Sequence, residues 1–202
     1  MTPMLSPAEP RAEGPPPPPA PLAGRPTFDE VYEEQFSFVW RSARGLGIPE
    51  HAVDDVTQEI FVIVHRRLAD FEGRSSVRTW LYGILRNVVR SHRRELRKRS
   101  TGEAPGEVAI DPDTLGDEGE RGPDEAAAKA EAARLVVTLL EALDDDKREV
   151  FVLAELEQLT APEIAQMLGE KTNTVYSRLR FAREEFAAAA WRHRRHDEWR
   201  GK

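Results

Sequence analysis

The chain has 202 residues, 40% hydrophobic and 32% charged, with 36 acids against 29 Lys plus Arg for a formal net charge of -7. That length holds one large domain or two small ones, and a net acidic chain is not a general nucleic-acid coat unless its charges are segregated. With no cysteine there is no disulfide or Cys-based zinc site, and no apolar run approaches a membrane span or signal-peptide core, so a cytoplasmic protein is expected.

Residues 1–26 include "GPPPPPAPLAGRP". Proline fixes φ and removes amide donors, so this stretch is expected to be a disordered tail rather than part of a core, with a docking motif as the alternative. Helical pattern begins at Thr27, which forms a capping-box pair with Glu30. Phe28, Tyr32, Phe36, Val39, Ala43 and Leu46 then recur at three- and four-residue steps as one apolar stripe. Gly45 and Gly47 end that helix.

A second helix runs through "PEHAVDDVTQEIFVIVHRRLADF", with Val53, Val56, Ile60, Val64 and Leu68 on its buried side. Phe61 to Val64 are apolar nearly all round, which places the helix centrally. Asp55, Gln58, Glu59 and Val62 share the opposite face, with Asp54 beside them. Acids and an amide grouped there suit docking onto a basic partner, with plain solvated surface as the alternative. A carboxylate metal site would need His65, which helix geometry turns away from Glu59.

"EGRSS" is a polar loop, and a third helix starts near Ser75 or Ser76 and runs to about Arg99. Its buried side carries Val77, Leu81, Ile84, Val88 and His92. Its second half holds Arg86, Arg90, Arg93, Arg94, Arg97, Lys98 and Arg99 against Glu95 alone, with Asn87 among them. A basic helix beside a polar loop has what single-stranded DNA needs: cations for phosphates, and a pocket or ring for an unstacked base. Trp80 and Phe71 are more simply read as core.

From Thr101 to about Asp124 the chain loses periodicity and is rich in Gly, Pro and acid, which marks a linker over 101–124. Beyond it come a long helix in "EAAAKAEAARLVVTLLEAL" and a second in "DDDKREVFVLAELEQL", capped by aspartate. In "LTAPEIAQMLGEKTNTVYSRLRFAREEF", Thr160 and Glu163 open a helix that Gly169 closes, and another starts at Thr172. Val175, Leu179, Ala182 and Phe186 are its inner stripe, leaving Asn173, Thr174, Tyr176, Ser177, Arg178, Arg180 and Arg183 outward. This is the pattern of a helix-turn-helix, whose second helix enters the major groove with its N-terminal residues on base edges. A packing hairpin with solvated arginines has the same pattern. The chain closes on a basic tail, residues 191–202, in which His193 and His196 have no evident third metal ligand. The fold class is all-α, in two small helical domains over residues 27–100 and 125–190.

Taken together, "DDVTQEIF" and "FEGRSSVRTWLYGILRNVVRSHRR" resemble region 2 of bacterial sigma factors of the extracytoplasmic-function (ECF) group. "REVFVLAELEQLTAPEIAQMLGEKTNTVYSRLRFAREEF" resembles region 4 of the same group, in the right order. The resemblance implies a non-enzymatic transcription initiation factor, without cofactor or metal, that binds core RNA polymerase and promoter DNA and is held in check by an anti-sigma factor. It implies polymerase docking through Asp54, Asp55, Gln58 and Glu59. It implies capture of the −10 strand, with a flipped base, by Arg74, Ser75, Arg78, Trp80, Arg86, Asn87, Arg90 and Arg94. The −35 duplex falls to Asn173, Thr174, Tyr176, Ser177, Arg178, Arg180 and Arg183, where Asn173 and Tyr176 depart from the usual glycine and lysine. Two other classes remain: a stand-alone dimeric helix-turn-helix regulator, and an enzyme using Asp54, Asp55, Glu59 and His65.

Overall fold

The computed structural model describes residues 25–100 and 123–200, with side chains left out at 99, 100, 123–130 and 197–200. The expectations for the proline-rich tail and most of the linker lie outside the described residues. Seven α-helices make up the described chain, with no strand among the described residues: α1 (Phe28–Gly45), α2 (Glu50–Arg67), α3 (Val77–Ser100), α4 (Pro123–Leu140), α5 (Asp145–Phe151), α6 (Ala161–Leu168) and α7 (Thr172–Arg200).

Local chemistry sets most of the boundaries. Thr27 accepts from the Glu30 amide at 3.3 Å and donates its own amide to the Glu30 carboxylate at 2.7 Å, satisfying two otherwise orphaned donors at the start of α1. The Ser76 hydroxyl accepts from the Thr79 amide at 3.1 Å and so caps α3. Asp144 caps α5 through the Lys147 amide at 2.9 Å. After α5 the chain widens into a π turn (Val152–Leu156), then passes through Gln158 at φ 56. Gly169 takes φ 68 to stop α6, a conformation that costs an L side chain about 1–2 kcal/mol.

α1, α2 and α3 form a three-helix bundle around Val39, Val56, Ile60, Val64, Leu81 and Leu85, all fully or almost fully buried. α5, α6 and α7 pack around Val150, Leu153, Ile164, Val175 and Ala182, with α4 against α7. The second half of the predicted stripe of α1, Val39, Ala43 and Leu46, is buried as expected, but the first half is displaced: Val31 and Phe38 are buried, whereas Tyr32 and Phe36 are 42% and 36% exposed. Val62 is likewise 48% exposed, so α2 is not apolar all round. These side chains and Phe28 gather over Phe61, the Tyr32 and Phe61 rings 4.8 Å apart, as an aromatic shelf on the bundle surface. At the other end, the expected tail after residue 190 is a continuation of α7 through Arg200. The run Ala187–Ala190 joins the two parts with the strongest of helix formers.

The two bundles pack on each other, and their buried side chains form one continuous cluster. Gly45 makes this approach possible: a Cβ there would lie 2.9 Å from Val152 Cγ2 across the contact. Residues far apart in sequence are thus brought against the basic face of α3.

Candidate nucleic-acid and polymerase interfaces

Asp54, Asp55, Gln58 and Glu59 are all exposed on one face of α2. Trp40 Nε1 on α1 donates to Asp54 Oδ1 at 2.8 Å and fixes that carboxylate, while Glu59 Oε2 lies 3.8 Å from His92 Nε2 on α3. Beside them the aromatic shelf borders a groove of about 510 Å³ that includes Gln58, Val62 and His65. His65 packs edge-on against Phe28 at 5.0 Å rather than joining the carboxylates. Among the described residues no group of three or more His, Asp or Glu is placed to hold a metal.

The predicted strand-binding residues divide into four groups. Arg74 and Ser75 sit in the loop before α3, where Arg74 pairs with nearby Glu72 and remains 85% exposed. Asn87 and Arg94 are exposed on α3. Trp80 is half-buried, its ring 5.3 Å from Phe71, as the reading of both as core expects.

Arg78, Arg86 and Arg90 are instead engaged by acids of the second bundle. Glu149 on α5 accepts from Tyr82 Oη at 3.0 Å and from Arg86 Nη2 at 3.0 Å, with Arg90 Nη2 at 3.7 Å. Burial and the Glu149 charge both push the Tyr82 phenol well above its ordinary value, so it stays a donor. Glu157, whose side chain has no exposure, takes two parallel bonds from Arg41 at 3.0 and 2.9 Å and a third from Arg78 at 3.1 Å. Such paired charge-assisted bonds are the strong, directional kind. Its hydrogen bond to Glu157 is also what raises the Arg41 guanidinium above its usual value. At the far end, Asp145 receives Arg93 at 2.6 Å and Arg97 at 2.9 Å. Glu149, Glu157 and Arg41 were missed by sequence reasoning. Nothing local marks an acid within an apolar helix as the partner of an arginine more than sixty residues away.

In the second bundle the outward set of α7 is as expected. Asn173, Tyr176, Ser177, Arg180 and Arg183 are exposed, Thr174 and Arg178 half-buried, and Val175, Leu179 and Ala182 buried. Tyr176 is 57% exposed at the front of the helix. Arg178 is held by Glu170 at 3.1 Å and Asp146 at 3.2 Å, and Arg183 by Glu155 at 2.7 Å. The Glu163 carboxylate accepts both the amide and the hydroxyl of Thr160, which lowers its pKa and pins the start of α6. The supporting helix is therefore set independently of the outward face it presents.

Comparison with known proteins places both bundles. Residues 31–99 match the family described as Sigma-70 region 2, and residues 133–186 match Sigma-70, region 4. RNA polymerase sigma factor CnrH of Cupriavidus metallidurans is 36% identical over 152 residues, covering 73% of this chain and 78% of that one. ECF RNA polymerase sigma factor SigC of Mycobacterium tuberculosis is 35% identical over 154 residues, covering 75% and 77%. The solved structure of CnrH in complex with the cytosolic domain of CnrY superposes with a TM-score of 0.58 at 30% identity, over 80% of this chain and 85% of that one. With region 2 and region 4 both present in order, and relatives of this likeness along most of its length, the chain belongs to the extracytoplasmic-function group of RNA polymerase sigma factors.

Proposed function

We propose that this sigma factor divides its task among three faces. The acidic face of α2, with Asp54, Asp55, Gln58 and Glu59, docks on core RNA polymerase, its orientation fixed by the bond from Trp40 to Asp54. The loop at Arg74 and Ser75, with Arg78, Arg86, Asn87, Arg90 and Arg94 of α3, holds the separated −10 strand. Trp80 stiffens the base of that loop against Phe71. The front of α7, from Asn173 to Arg183, enters the major groove at −35. There a guanidinium such as Arg178 is suited to two bonds on a guanine, and Arg180 and Arg183 to phosphates.

The observation that carries this reading is the presence in one chain of both matched regions, each with its polar face outward from its own bundle. No described helix is long and apolar enough to cross a membrane, and the protein acts in the cytoplasm, where promoter DNA is. It works by binding rather than by catalysis. An anti-sigma factor that spans both bundles completes the assignment. Support comes from the similar CnrH, which has been solved bound to the cytosolic domain of CnrY.

Run-off transcription with core polymerase and a promoter library tests the whole. The expected result is a set of transcripts starting at a shared −35/−10 pattern and absent without this chain. Equal transcription with and without it, or palindromic DNA binding that needs no polymerase, would overturn the assignment.

A further inference from the structure

The aromatic shelf of the first bundle is apolar surface that the packing of the described helices leaves open. Tyr32, Phe36 and Val62 are exposed, with Phe28 half-buried beside them. The rings run as a row: His65 lies 5.0 Å from Phe28, Phe28 6.0 Å from Tyr32, and Tyr32 5.3 Å from Phe36, with the buried Phe61 against Tyr32. Gln58 and Arg66 give this groove a polar border. An exposed apolar patch with a polar rim marks an interaction site.

The chain itself supplies an occupant. Arg25 donates to the Ala69 carbonyl at 2.6 Å, just past the end of α2, and so holds the segment before α1 near the end of the groove formed by His65 and Arg66. Upstream of it, residues 14–24 read "GPPPPPAPLAG". Consecutive prolines favour polyproline II, a stiff form that loses little entropy on docking and that aromatic-lined grooves bind. The lengths agree. From Phe28 to Phe36 the shelf spans about 12 Å of helix, and four residues of polyproline II cover about 12 Å as well. Between Pro19 and Arg25 there is chain enough for about 20 Å, and Gly24 is a residue at which a reversal meets no side-chain penalty.

We propose that residues 15–19 fold back from Arg25 onto this shelf, and that from there they cover Gln58 and Val62 at the edge of the α2 docking face. The proline run then competes with core polymerase for that edge, and polymerase binding displaces it. Proline rings against Phe28, Tyr32 and Phe36 are the contacts that hold it. The competition rests on the assignment of α2 to polymerase; the seating of the prolines does not.

The chain has no cysteine, so G14C gives a single attachment point for a nitroxide just before the proline run. In the isotope-enriched full chain, the label should broaden the amide resonances of Phe36, Gln58 and Val62. The broadening should vanish in the same labelled chain carrying P15S/P16S/P17S/P18S/P19S, which alters no described residue. Broadening confined to residues next to Arg25, or unchanged by the serines, overturns the seating. So does broadening that appears only when labelled, unenriched chain is mixed with enriched, unlabelled chain, because the occupant is then a second copy. In a separate arm without label, the five-serine variant should bind core polymerase about threefold more tightly, as for a site otherwise free one-third of the time. If the serines leave polymerase affinity unchanged while Asp55→Lys lowers it, the competition is overturned and the docking face stands. If neither variant alters assembly, the assignment of α2 fails and the competition falls with it, while the line broadening still decides the seating.

Discussion

Tyr82 of α3 donates its hydroxyl hydrogen to Glu149 of α5 at 3.0 Å, in a spot where the tyrosine is fully buried. The bond joins two bundles whose sequences are separated by an acidic linker, and it lies beside the arginines of the basic face. Tyr82→Phe keeps the ring and its packing but leaves Glu149 one donor short. A loss of about 1–3 kcal/mol in stability is expected, the usual cost of an unsatisfied buried acceptor. Urea unfolding checks it; a change near zero would show that Arg86 and Arg90 satisfy Glu149 on their own.

Asp145 gives the contact a dependence on pH. Burial pushes its carboxyl up, but the hydrogen bonds from Arg97 and Arg93 outweigh this and hold it below the ordinary 3.8. A carboxyl depressed in the folded state contributes stability that is fully present above 3.8 and disappears as pH falls through the lower folded-state value. Because Asp145 is half exposed, solvent screening keeps the contribution small. Melting curves of the unaltered chain and D145N should therefore differ at pH 6 and converge in strong acid. A difference that persists there would show a role for Asp145 other than its charge.

The bundle cores were legible because they obey short-range rules. The spacing of Val53, Val56, Ile60 and Val64 marks one buried side of a helix, and capping pairs such as Thr27 with Glu30 fix where a helix starts. The displaced stripe of α1 shows the limit. Phe28, Tyr32 and Phe36 have helical spacing and apolar rings, so periodicity alone cannot tell a core face from an aromatic shelf. The same limit hid Glu149 and Glu157, whose meaning depends on arginines in another bundle. The outward residues of α2 and α7, with Asn87 and Arg94 of α3, were recoverable because each follows from the inner stripe of its own helix; Arg78 and Arg86, half-buried against the second bundle, were not. The extension of α7 was missed because nothing in the sequence from Ala187 onward breaks or demands a helix; alanine propensity carries it.

Ile164 of α6 lies in the core of the second bundle with no exposure. Ile164→Ala removes three carbons from a packed site and should cost about 2–5 kcal/mol. Reduced −35 duplex binding should accompany the loss, since α7 is oriented by this core. Unchanged thermal stability would show that α4 and α5 can collapse into the space.

Asp55 is exposed on the outward face of α2. Asp55→Lys reverses one charge on the proposed docking surface without touching a core residue. Holoenzyme assembly, followed by native gel shift or fluorescence with core polymerase, should weaken at least tenfold, about 1.4 kcal/mol. Duplex binding by the same variant should be unaffected. Assembly at the original affinity would remove the α2 face from the docking surface.

Arg178 supplies the most discriminating test of the −35 assignment. Its guanidinium is shared between Glu170 and Asp146, at 3.1 and 3.2 Å, and its side chain is only 27% exposed. To meet a base edge it must leave at least one of these partners, so part of any base contact is spent on that exchange. Arg178→Ala should still cost roughly 1–3 kcal/mol at a single duplex position, the range for a two-bond guanine contact. Arg180→Ala, which removes a more exposed cation, should instead weaken all sequences alike and reduce the salt dependence of binding. Competition binding across a set of single-base variants of the −35 duplex separates these outcomes. If Arg178→Ala lowers affinity equally on every sequence, Arg178 touches phosphate only and the base reader must be sought nearer the helix front, at Asn173, Tyr176 or Ser177.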